Sequence, residues 1–355
     1  MEFKKYSDEE FQNKFMHIIT QSARDVTYKF ALARFLLDYS EMPNVQTKVA
    51  FNTIAEYFLR YYWPQICNSK LKQGVRDENQ KDGNKSKSNK NKSKIVKILN
   101  EHFPEPYYHQ NYRQIQKEQP ENTEKCITSI EKECFRIVTF AFQRIKNAKD
   151  VTPMFFKYKI TGQKKSRPDQ VYVDMNYGIE INPHAIDFFK RFHVLLKKAV
   201  ILEWARFLEP FNSGYPEIIR SIEFENENRS LTTEKKWLRK IEHNCFYCNK
   251  PVDKMKNDEV HVEHIIPYSY LKHNKMWNLT LACERCNCKK LGTLPKPQEK
   301  WIKKISQRNK KFRKSIPKLD QHLIEFGDSF EESMNIKYKN ALNQGFIEKL
   351  MPPVD

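Results

Sequence analysis

Five of the eight cysteines in this 355-residue chain fall in one stretch: Cys245, Cys248, Cys283, Cys286 and Cys288. Cys245-Phe246-Tyr247-Cys248 and Cys283-Glu284-Arg285-Cys286 form two C-x2-C knuckles. Paired knuckles supply four thiolates, which suits tetrahedral zinc. Four sulfurs leave no open coordination position for water. Such a zinc is therefore structural: it ties two distant segments together, and its binding energy becomes folding energy. Cys288 fits neither knuckle and is either a spare small residue or an alternate ligand. Cys67, Cys126 and Cys134 are scattered. The segment Met1-Glu2-Phe3-Lys4-Lys5 lacks the apolar core of a signal peptide. A reducing, cytoplasmic location is expected, where clustered cysteines indicate metal rather than disulfides.

Between the knuckles lies Val260-His261-Val262-Glu263-His264-Ile265-Ile266-Pro267, an alternation that predicts a β-strand ending at Pro267. Trp277-Asn278-Leu279-Thr280-Leu281-Ala282-Cys283 follows, and Asn287-Cys288-Lys289-Lys290 comes just after Cys286. This layout resembles the HNH (ββα-metal) endonuclease family. The shared features are a carboxylate–histidine pair on the first strand, an asparagine before the second knuckle and an asparagine after its last cysteine. The resemblance implies strands over about 260–266 and 278–282, with a helix starting near Cys283.

It also implies roles. His264 takes the place of the general base, a task suited to an imidazole that titrates near neutral pH. Glu263 and Asn287 match the ligands of a catalytic Mg2+ or Mn2+, as oxygen donors suit hard cations. Asn278 matches the asparagine that braces the metal loop and orients the base. Many family members carry aspartate where this chain has Glu263. The extra methylene alters the metal geometry or the preferred metal. His261 shares the strand face of Glu263 by alternation and is either an assisting group or a structural one.

The rest of the chain must position this stretch and bring it a substrate. The formal charge is +19, from 63 Lys and Arg against 44 Asp and Glu. A polyanion relieves that self-repulsion, and nucleic acid is the usual one; a generally basic surface, or ribosomal or membrane contact, is the alternative. No run of about 18 uncharged apolar residues predicts a membrane span. Residues 1–67 read as a helical N-terminal domain. Residues 68–95, centred on the Lys/Asn-rich run from Gln80 to Lys94, read as a flexible linker or loop.

Residues 96–235 read as a helical and β-hairpin DNA-recognition region. Its strands are expected at Met154–Ile160 and Val171–Ile181, and its long helix over His184–Leu208. Lys164, Lys165 and Arg167 sit at the hairpin tip, either in a DNA groove or in a solvated turn. Arg167-Pro168-Asp169 with Glu180-Ile181-Asn182 is loosely similar to another nuclease pattern, but Asn182 stands where its lysine belongs, so no second site is read. Residues 236–318 read as the nuclease domain with a basic arm, and residues 319–355 as C-terminal helices. Lys289, Lys290, Lys303, Lys304 and Arg308 are expected along the DNA backbone.

The fold class expected is α+β: mostly helical N-terminal and middle regions with a β-hairpin, plus a small zinc-stabilised ββα-metal domain. The function expected is hydrolysis of double-stranded DNA to 5′-phosphate and 3′-hydroxyl ends, as a bacterial type II restriction enzyme. A cognate DNA methyltransferase and transient homodimer formation for double-strand cleavage go with that reading. The alternatives are a phage-defence or mobile-element HNH nuclease of loose specificity, and a non-catalytic zinc DNA-binding protein.

Overall fold

The computed structural model describes residues 3–21, 27–74, 93–104, 110–143, 153–164, 167–223, 231–327 and 329–352. Helices predominate and the sheets are small, an α+β arrangement. The chain divides into two compact units: residues 1–213 with 221–224, and residues 214–220 with 225–355. Among the described residues no helix is long and apolar enough to cross a membrane.

The first unit is built on helices α1 (Asp8–Gln21), α2 (Tyr28–Ser40), α3 (Phe51–Trp63), α4 (Lys94–His102), α5 (Tyr112–Glu118), α6 (Pro120–Phe142) and α7 (Pro183–Leu208). Helix α2 packs on α7, and α3 on α6. Residues 1–67 thus share one core with residues 96–213, where the sequence reading divides them. The core is aromatic. Phe11 stacks on Phe188 with centroids 5.3 Å apart, and Phe155 on Phe189 at 5.5 Å. Burying each such ring contributes about 1.5–3 kcal/mol. His193 faces Asp38 at 3.3 Å, a structural pairing.

Two strands, β1 (Lys48–Val49) and β2 (Phe156–Lys157), flank β5 (Ile179–Ile181), and β3 (Ile160–Lys164) pairs with β4 (Arg167–Val173) as a hairpin. The expected strand over Val171–Ile181 is therefore broken. Strand β4 stops at Val173, and Asp174 turns the chain by accepting a bond from Asn176 N at 3.0 Å. Gly178, at φ +76°, completes the turn; a Cβ there would lie 2.1 Å from the Val49 carbonyl oxygen. Only glycine permits that approach. Asn182 caps α7: its Oδ1 accepts from His184 N at 3.0 Å, and its Nδ2 donates to the Met154 carbonyl. Residues 75–92 and Lys165 lie outside the described residues, as do the side chains of Lys164 and Arg167.

Helix α8 (Ile218–Glu223) contributes residues to both units. The second unit continues with α9 (Thr232–Leu238), β6 (Val260–His264), α10 (Tyr268–Leu271), β7 (Leu279–Cys283) and α11 (Glu284–Lys290). Then follow β8 (Leu294–Lys296), α12 (Gln298–Phe312), α13 (Pro317–Leu323), α14 (Phe330–Asn343) and β9 (Glu348–Leu350). The basic arm is helix α12, amphipathic, with Trp301, Ile302 and Ile305 buried. The C-terminal stretch holds helices and one strand more than expected, since β9 returns to pair in parallel with β8. Trp277 anchors this unit against Phe326, with centroids 5.1 Å apart.

Candidate functional site

Strands β6 and β7 form an antiparallel ladder that sets Glu263 opposite Thr280 and His264 opposite Leu279. Helix α11 follows β7 directly and packs on both strands. The expected order of two strands and a helix is present, with boundaries within two residues of those read from the pattern. Strand β6 ends at His264, short of Pro267, which opens α10.

The knuckles meet at the end of this ladder. One ligand atom from each of Cys245, Cys248, Cys283 and Cys286 lies within 4.8 Å of all the others. The Sγ atoms of Cys248 and Cys283 are 3.7 Å apart. A tetrahedral zinc with sulfurs at ~2.3 Å needs about that separation. Asn249, at φ +59°, makes the tight turn of the first knuckle, and Cys245 N donates to the Lys250 carbonyl at 2.8 Å. Phe246 N donates to the Leu281 carbonyl at 2.9 Å, fastening the knuckle to β7. Burial pushes the Cys245 thiol up to about 11. Cys248 moves the other way: against its burial, the Lys250 backbone N–H and the neighbouring thiols pull it down, so one thiolate forms readily and the buried Cys245 resists ionisation until a cation supplies the counter-charge. Cys288 is exposed and outside the cluster.

Asn278 is fully buried and joined to Ile266 at both ends. Its Oδ1 accepts from Ile266 N at 2.9 Å, and its Nδ2 donates to the Ile266 carbonyl at 2.8 Å. The chain just beyond His264 is thereby locked. The His264 Nε2 lies 3.0 Å from Asn274 Oδ1, and the ring meets Tyr268 edge-on at 5.5 Å. The Glu263 carboxylate reaches α11, where the Lys290 ammonium donates to its Oε1 at 2.8 Å. Asn287 is half-buried one helical turn before Lys290, on the same side of α11. The His261 Nε2 is buried and meets no hydrogen-bond partner among the described residues.

Two of the expected DNA-contacting residues are withdrawn from the surface. Lys290 is 0% exposed and engaged with Glu263. Arg308 is buried: its guanidinium donates to the Leu279 carbonyl and faces Glu242 at 3.4 Å. A side chain committed to a strand carbonyl has no face left for a phosphate. Lys304 is half-buried over the Phe246 ring, with its amine on the Phe246 carbonyl. Lys289 and Lys303 are exposed.

Glu242 and Asn274 escaped the sequence reading. Glu242 Oε2 accepts from Leu281 N at 2.6 Å and from Thr280 Oγ1 at 2.9 Å, so it holds β7 from behind. Burial pushes its carboxyl up, against the pull of Arg308. Neither residue belongs to a spaced motif; Asn274 lies on an irregular loop, where no periodicity marks it.

Glu263 on β6 carries a carboxylate and Asn287 on α11 a carboxamide oxygen, both of a kind that suits a hard cation. Comparison with known proteins agrees at the level of the domain. A family model described as HNH endonuclease matches residues 245–296. A second model, described as a domain of unknown function (DUF8808), matches residues 8–222. No curated protein and no solved structure matches the chain.

Proposed function

Because the chain belongs to the family described as a domain of unknown function (DUF8808) and carries an HNH endonuclease domain after it, we propose that it is a metal-dependent DNA endonuclease of the type II restriction kind. One observation carries the nuclease reading. A carboxylate and an imidazole are consecutive on β6, beside a helix bearing Asn287, in a ladder closed by four clustered thiols.

His264 accepts the proton of the attacking water, held in place by Asn274 and by the segment that Asn278 locks. The water's oxygen joins phosphorus as the bond to the 3′ oxygen breaks, and that oxygen takes a proton from solvent, leaving a 5′-phosphate and a 3′-hydroxyl. A magnesium or manganese ion held by Glu263 and Asn287 supplies counter-charge to the phosphorane-like transition state when bound. Zinc at the four cysteines is structural and takes no part in the chemistry. Lys289 and Lys303 lie along the DNA backbone.

One such site cuts one strand at a time, so double-strand cleavage calls for transient pairing of two molecules. Residues 8–222 supply target recognition, and a DNA methyltransferase protects the host's own sites. Digestion of a mapped plasmid with magnesium tests the restriction reading. Discrete fragments support it. A smear replaces it with a nuclease of loose specificity, and intact DNA under every divalent ion sinks the nuclease reading itself.

A further inference from the structure

The Lys290 ammonium occupies the carboxylate assigned to the catalytic cation. Its side chain is 0% exposed, and Nζ lies 2.8 Å from Glu263 Oε1, itself on a side chain 14% exposed. An ammonium has three donors, and among the described residues Glu263 Oε1 is the one acceptor that meets them. The neighbouring backbone fixes this arrangement: Thr293 N and Thr293 Oγ1 both donate to the Lys290 carbonyl, closing the end of α11. The lysine is therefore built into the wall of the site rather than laid over it.

The charges have a consequence. Glu263 alone offers a divalent cation one negative charge, and the buried ammonium cancels it. A cation approaching Glu263 meets a neutral pair and a like charge at close range. In an effective dielectric of about 20, unit charges about 4 Å apart interact with several times the thermal energy. The rotamer freedom that Glu263 would regain without its lysine is the smaller effect. Asn287 is neutral and offsets nothing. A DNA phosphate brings the missing negative charge, so both cations are accommodated once the backbone is in place.

We propose that Lys290 is an internal counter-ion that makes metal binding at Glu263 conditional on DNA. The residue acts as a positioning and gating group, and the inference rests on Glu263 being a metal ligand. It gives the longer glutamate arm a use: the extra methylene extends the carboxylate toward α11.

The test is calorimetric titration of the zinc-saturated full chain with Mn2+, without DNA and with a short duplex. All DNA-bound samples carry His264→Ala so that the duplex stays intact. The chain with Lys290 should bind Mn2+ at least tenfold more tightly with duplex than without. Lys290→Met and Lys290→Gln should bind Mn2+ at least tenfold more tightly than wild type without DNA, and gain less from the duplex. Lys290→Arg should behave as wild type. Equal or weaker Mn2+ binding by the neutral variants overturns the proposal. So does an Mn2+ affinity of the His264→Ala chain with Lys290 in place that the duplex leaves unchanged from its DNA-free value, a result that needs no Lys290 variant to fold. Glu263→Gln separates the two layers. If it abolishes Mn2+ binding while Lys290→Met has no effect, only the counter-ion role falls. If it leaves Mn2+ binding intact, the site assignment falls and this proposal with it.

Discussion

Replacing Asn278 by alanine should unfasten the segment that follows His264. Asn278 and Ile266 are both fully buried, and the carboxamide satisfies both the N–H and the carbonyl of Ile266. Alanine leaves that donor and that acceptor without the carboxamide that satisfies them. Each orphaned buried group costs about 1–3 kcal/mol, so the pair costs about 2–6 kcal/mol. Domain stabilities are about 5–15 kcal/mol, so the loss is a large share. Asn278→Asp should do no better, because it sets a carboxylate oxygen against the Ile266 carbonyl. Urea unfolding of zinc-saturated protein measures both, with Trp277 beside the bond as a fluorescent reporter. A loss below about 0.5 kcal/mol at unchanged m, the size of an ordinary surface substitution, would mean that the carboxamide does not hold Ile266.

Other outcomes follow from the same geometry. Elemental analysis should find one zinc per chain. Cys283→Ser should lose it and speed hydrogen exchange across Leu279–Cys283, whereas Cys288→Ser should keep it. Burial, reinforced by Lys275 and Lys337, holds His273 down at about 4 against an ordinary 6.5. Its folded value is depressed, so the unfolded chain binds more protons between those limits. Stability present above pH 6.5 is then lost as pH falls toward 4, by about 3 kcal/mol at about 1.4 kcal/mol per pH unit. Comparing urea melts of wild type and His273→Asn across this range isolates that contribution from zinc release; equal slopes would contradict it. Arg308→Ala should cost about 3–5 kcal/mol by stranding Glu242, while exposed Lys310→Ala should change stability by under about 0.5 kcal/mol.

Spacing carried the metal centre and the local fold of the nuclease domain. Two C-x2-C pairs have few ways to coordinate one ion, and a five-residue alternation before Pro267 reads as a strand. The same logic failed where tertiary packing decides. Val171–Ile181 alternates, yet Gly178 and the approach of Val49 break it into a turn. Lys290 and Arg308 look like phosphate contacts in a basic run, because composition does not reveal which side of a helix faces inward. Position on α12 puts Arg308 with Ile305 and Trp301 toward the core, while Lys303 and Lys310 face out. Glu242 and Asn274 were illegible for a different reason. Their partners, Leu281 and His264, lie on strands they meet only after folding.

In the proposed reaction His264 performs proton transfer beside Glu263. The most direct measurement pairs cleavage and binding for His264→Ala with zinc content held equal. Cleavage should slow about 100-fold or more, the usual contribution of a positioned general base, with duplex affinity unchanged. Cleavage at the wild-type rate by a folded, zinc-loaded His264→Ala protein would contradict it.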